Sequence, residues 1–125
     1  MNKILWILQV LLAVAFLAHG WFIIFPPAEV VPQMAAFPTA FWIFLGVAEI
    51  LAGVGLTLPG ITGILPWLVP SAAVGLMVVM VGATILHGTR GEVGPALTTV
   101  VLFVLLTFVA YMRWKVRPIA RRHAV

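Results

Sequence analysis

Apolar residues run along this chain in four long blocks, over residues 4–25, 39–58, 66–88 and 95–114, separated by short clusters of proline, glycine and polar residues. Each block reaches the roughly 20 residues that an α-helix needs to cross the bilayer hydrocarbon. Pro26-Pro27, Pro38, Pro59-Gly60, Pro66 and Gly94-Pro95 stand at the block edges. Proline suits the first turn of a helix and breaks its interior, so these residues mark starts and stops. Pro70 lies one turn beyond Pro66, so the third helix either starts there or kinks there. The pattern predicts an all-α integral membrane four-helix bundle, one transmembrane domain over residues 1–125 with a basic tail over 115–125.

Composition excludes the soluble alternative. Only 8% of the 125 residues are charged and 64% are hydrophobic, where a soluble domain has about a quarter of its residues charged. A water-soluble fold of this size could not hide that much apolar surface. With no cysteine, disulfides, thiolate metal sites, iron–sulfur clusters and cysteine nucleophiles drop out. Five of the seven basic residues, Arg113, Lys115, Arg117, Arg121 and Arg122, fall in the last thirteen positions. That tail suits membrane lipid as a partner and argues against nucleic acid. The apolar stretch over 4–25 is longer than a typical signal-peptide core and reads as a retained first helix.

Orientation follows from basic residues near the helix ends. With four crossings, both termini and the loop at 59–65 share one side, which holds Lys3 and the five tail residues; the other side holds Arg90 alone. Both ends are expected in the cytoplasm. Trp6, Trp67 and Trp114, with Tyr111, fall at the cytoplasmic helix ends, and Trp21 and Trp42 near the outer ends. That is the aromatic belt of a membrane interface. In the outer loop, Val30, Met34 and Phe37 recur at helical spacing opposite Glu29 and Gln33. An amphipathic turn or an irregular connector around Pro32 would each account for it.

Four polar side chains at membrane depth are the candidate site. Glu49 stands ten positions into the second helix, roughly 15 Å from its outer end. A charge there costs about 3 kcal/mol on insertion scales, so such a residue faces the bundle interior and has a partner. Gly46, Glu49 and Gly53 share one helix face, and small residues let a facing helix approach closely. His19 lies roughly 9 Å below the outer end of the first helix and is the candidate partner of Glu49. His87 ends the third helix, with Arg90 three residues on and Glu92 in the following turn. His19, Glu49, His87 and Arg90 therefore gather in the outer half as candidate ligand-binding residues. The two histidines raise the option of haem, but their depths differ by most of 10 Å, which argues against a coaxial pair. No metal-ligand spacing, catalytic triad or phosphate loop is present, so no catalytic residue is assigned.

The order of these motifs resembles the DoxX and DoxX-like family of small bacterial membrane proteins. The residues that carry the likeness are Gly46-Val47-Ala48-Glu49-Ile50-Leu51-Ala52-Gly53-Val54-Gly55-Leu56 with Leu58-Pro59, and Gly82-Ala83-Thr84-Ile85-Leu86-His87 with Arg90-Gly91-Glu92. The likeness covers roughly Leu11 to Trp114. It implies a place in the bacterial inner membrane and an association with quinone-linked redox assemblies. It also maps the family's second-helix glutamate onto Glu49, and the family's helix-three histidine and charged turn onto His87, Arg90 and Glu92. One departure stands out. Members commonly carry Gly-x-x-Lys near the end of the first helix, where this chain has Gly20-Trp21-Phe22-Ile23. Without that lysine, His19 becomes the substitute partner of Glu49.

The expected function is that of a membrane subunit of a redox complex, with a quinone as the candidate cofactor among Glu49, His19 and His87 and with other membrane or redox subunits as partners. Two alternatives stay open. One is a non-catalytic scaffold subunit; the other is a carrier of a small hydrophobic molecule, which four helices could serve only as a homo-oligomer.

Overall fold

The structure, a computed structural model, describes residues 1–122; the end of the expected tail, residues 123–125, lies outside them. Five α-helices follow one another: α1 (Asn2–Ile24), α2 (Thr39–Gly55), α3 (Leu58–Thr62), α4 (Leu68–Thr89) and α5 (Val93–Tyr111). A 3-10 turn (Val31–Met34) lies in the first loop, and a π-helical turn (Met112–Val116) prolongs α5. Counting α3 as the end of the second span and the π-turn as the end of the fourth, four helices are long and apolar enough to cross a membrane. No strand occurs among the described residues.

The prolines act mostly inside first turns. Pro59 does not end the second span but is the second residue of α3, where its missing N–H leaves no bond unmade. The helix breaks just before it, at Leu56–Thr57, and α3 then carries the span on to Thr62, inside the stretch expected to be a loop. Pro70 and Pro95 are each the third residue of their helices, a position whose N–H has no intrahelical acceptor in any case. Pro70 therefore causes no kink, and α5 begins two residues ahead of its proline.

The helices pack as two hairpins. α1 lies along α2 and α4 along α5; between the hairpins α2 meets α4, while α1 touches α5 only sparsely. The backbone N–H of Arg122 donates to the Gly63 carbonyl at 2.6 Å, so the chain end and the α3–α4 connection share one end of the bundle. That end carries Lys3, Arg113, Lys115, Arg117, Arg121 and Arg122 and is called the basic end below. The core fills the half of the bundle towards it, with Leu12, Phe16, Leu56, Ala73, Leu76, Leu106 and Val109 buried together. Outward-facing Ile7, Leu11, Phe44, Leu51, Val78, Ile85 and Val104 belt the exterior, an arrangement for lipid rather than water.

Candidate functional site

Where α1 crosses α2, glycine replaces the side chains that would hold the helices apart. A methyl group on Gly20 would stand 2.7 Å from the Gly46 carbonyl oxygen, and one on Gly46 would stand 2.7 Å from that of Gly20. Such approach is the usual device of helix pairs in membranes. The buried face of α2 is Gly46, Glu49 and Gly53. The crossing presses that face onto α1 and carries Glu49 to His19. His19 Nδ1 stands 3.1 and 3.0 Å from the two carboxylate oxygens. Glu49 is 1% exposed and the His19 side chain 56% exposed, so the imidazole is the more accessible half of the pair. The contact holds one proton between Nδ1 and the carboxyl group, which leaves Nε2 as the ring's working face.

The pair forms the shared wall of two cavities in the half of the bundle away from the basic end. The larger, of about 360 Å³, lies between α1, α2, α4 and the first loop. Phe41, Leu45, Val79 and Leu86 supply apolar lining, and His87 and Arg90 stand with the pair around its margin. The second, of about 340 Å³, is bounded by Phe16 of α1 and by Pro95, Thr98 and Leu102 of α5, where the hairpins touch least, and shares His19, Glu49, Met80 and His87. At its edge the Thr84 and Thr99 hydroxyls lie 2.7 Å apart and tie α4 to α5.

The four sequence-selected residues thus reach one place, though not all bond one another. His87 Nδ1 lies 3.1 Å from a Glu92 carboxylate oxygen. Arg90 caps α4 and donates from Nη2 to the Gln33 carbonyl at 3.0 Å. The first loop roofs the larger cavity. It is neither of the two alternatives drawn from the sequence in pure form: a single 3-10 turn with Pro32 in its first turn, presenting Val30, Gln33, Met34 and Phe37 inward. Gln33 therefore shares the cavity side instead of facing away. Trp42 Nε1 donates to the Met34 carbonyl at 2.8 Å, and the rings of Phe37, Phe41 and Trp42 pack on one another.

Sequence reading missed a second polar cluster. Gln9 of α1 is fully buried and donates to the Leu56 carbonyl at 2.7 Å, capping the helix break between α2 and α3. Its side-chain oxygen accepts from Arg113 Nε at 2.6 Å. Arg113, counted from sequence with the basic residues that suit membrane lipid, is 3% exposed. The π-helical turn Met112–Val116 carries one extra residue in its turn and swings Arg113 inward. The one signal available was Gln9 itself, which with His19 is one of two polar side chains inside the first apolar block. Among the described residues no group of three or more metal-ligating side chains occurs.

A family model described as the DoxX-like family matches residues 7–109, which spans more than half of the chain and leaves out only the start of α1 and the end of α5 among the long helices. No curated protein and no solved structure matches the chain.

Proposed function

The chain belongs to the DoxX-like family, and on that premise we propose that it binds the head of a quinone-like molecule beside the His19–Glu49 pair, as the small membrane subunit of a redox assembly. The observation that carries this reading is the buried carboxylate whose single partner, His19, opens onto two apolar cavities. Volumes of about 340 and 360 Å³ fall within the roughly 300–1,000 Å³ of small-molecule sites, which are apolar with a few converging polar groups. A ring with oxygen atoms at its edge and an apolar tail matches such a lining.

Each residue has a definite part. His19 Nε2 accepts a hydroxyl hydrogen while the ring is neutral and donates to a carbonyl oxygen once the ring is charged. Glu49 orients the ring through Nδ1 and balances the charge when it forms, the part a carboxylate plays behind an imidazole. His87, held by Glu92, offers a second hydrogen-bonding nitrogen on the far wall. Met80 and Leu86 keep water out, and the first loop covers the larger cavity. Bound there, a quinone would supply the two-electron chemistry that no side chain of this protein can. The electrons come from partner subunits.

The same reading gives the protein an orientation. Six basic residues at one end against Arg90 at the other support a bacterial inner membrane setting with the basic end in the cytoplasm. The cavities then open in the outer half of the bilayer.

Binding of a benzoquinone carrying a decyl chain to the purified protein tests this reading. Glu49→Gln is expected to weaken binding about tenfold, the loss of one charge-assisted contact, with the helical circular dichroism unchanged. Equal binding by wild type and Glu49→Gln would leave the pair a structural tie and the chain a scaffold.

A further inference from the structure

We propose that the basic end holds an anion site of its own, in which the Arg113 guanidinium and the first turn of α1 take a phosphate group. Arg113 is 3% exposed, yet its protein partners are all neutral. Nε donates to Gln9 Oε1, and Nη1 to Asn2 Oδ1 and to the Arg117 carbonyl. Nη2 is buried and meets no acceptor among the described residues. A buried charge with only neutral partners is costly, and a counter-charge is what relieves it.

Among the described residues no acidic side chain lies at this end to supply one. Its three acidic residues are Glu29, Glu49 and Glu92. Glu29 lies in the first loop and Glu92 in the turn after α4, both at the opposite end, and Glu49 is engaged by His19. Lys3, Lys115, Arg117, Arg121 and Arg122 crowd the basic end instead, a setting that draws an anion from outside.

A second feature lies beside the guanidinium. The first turn of α1 has no side-chain cap, and Asn2, Lys3 and Ile4 are exposed. Open N–H groups at a helix N-terminus attract an anion. Arg113 Nη1 is held to this turn by the Asn2 side chain alone, at 2.8 Å. Asn2 is a neutral acceptor on an exposed residue, and a phosphate oxygen makes the stronger, charge-assisted bond. Swinging the Asn2 amide aside gives phosphate two terminal nitrogens of a planar fork, the geometry that guanidinium offers oxyanions. Trp6, with its ring centroid 5.4 Å from Arg113 Cζ, keeps the fork in place. The phosphate belongs either to a phospholipid headgroup or to free phosphate.

Native mass spectrometry of the full chain in neutral detergent distinguishes these outcomes, with phosphatidylglycerol, uncharged diacylglycerol and inorganic phosphate as probes. Wild type is expected to retain one phosphatidylglycerol per chain and to lose it about tenfold more readily as Arg113→Lys, which keeps the charge but not the fork. The double variant Arg121→Gln, Arg122→Gln is expected to retain it. Displacement by inorganic phosphate assigns the site to the free ion, and resistance to displacement assigns it to the lipid. If the double variant loses the lipid while Arg113→Lys keeps it, the attraction is diffuse and the site is refuted. Should Arg113→Lys not fold, wild type alone decides, because retention of phosphatidylglycerol no better than of diacylglycerol overturns the proposal.

Discussion

Two buried polar clusters occupy opposite halves of this bundle, and they are built on different terms. Around Arg113, the protein supplies amide oxygens and a backbone carbonyl, and a continuous packed core of leucine, valine and alanine side chains begins directly beside the cluster. Around Glu49, the partner is a titratable ring, and beyond the ring lies open space on two sides. Both clusters cost insertion energy. The surroundings, not the polar residues themselves, separate a cluster that fastens helices from one that can receive a molecule. Gln9 caps the helix break between α2 and α3, while His19 stands beside open space.

The largest effect should come from removing the approach that creates the open half. Gly46→Leu places a side chain against the Gly20 carbonyl and Ile24, and is expected to cost about 3 kcal/mol, read as a lowered midpoint of unfolding in detergent. Quinone binding should vanish with it, because α1 and α2 no longer bring His19 to Glu49. An unaltered midpoint would mean that the crossing is not held by this contact. Next, Gln9→Leu removes an acceptor from Arg113 and a donor from the Leu56 carbonyl, at about 2 kcal/mol. Here the decyl-benzoquinone affinity should stay at the wild-type value; a parallel loss of affinity would show the two halves to be coupled. Glu49→Gln should reverse that pattern, with a midpoint moved by less than about 1 kcal/mol and binding weakened as described above. The smallest effect is expected of Thr99→Val, which removes one hydroxyl from the pair at the second cavity. It should shift stability by about 0.5–1 kcal/mol, and chemical denaturation of the two proteins side by side would detect it.

The four spans were legible because length and apolarity alone define them in a membrane. The meeting of His19 and Glu49 was legible too, since an acid at that depth needs a partner and the glycines on its face mark where a helix comes close. Other features depended on geometry that periodicity does not carry. Arg113 sits beside Trp114 where the last apolar block runs into the basic tail, and only the π-helical turn, which adds a residue to the turn, rotates it inward. His87 and Glu92 are five apart and meet because the chain folds back through Gly91, whose φ of +72° suits a residue without a side chain. Proline was a reliable sign of a boundary but not of its direction: Pro59 opens a helix where a stop was expected.

The roof over the larger cavity is fastened at two points, Arg90 to the Gln33 carbonyl and Trp42 to the Met34 carbonyl. Both fastenings fall on backbone oxygens, which every amino acid supplies. The side chains at positions 30, 33 and 34 are therefore free to be exchanged without unfastening the roof, while Arg90, Trp42 and the Phe37 ring packed on it are not. Selection can thus retune which molecules fit beneath it, one roof residue at a time, on a scaffold that stays closed.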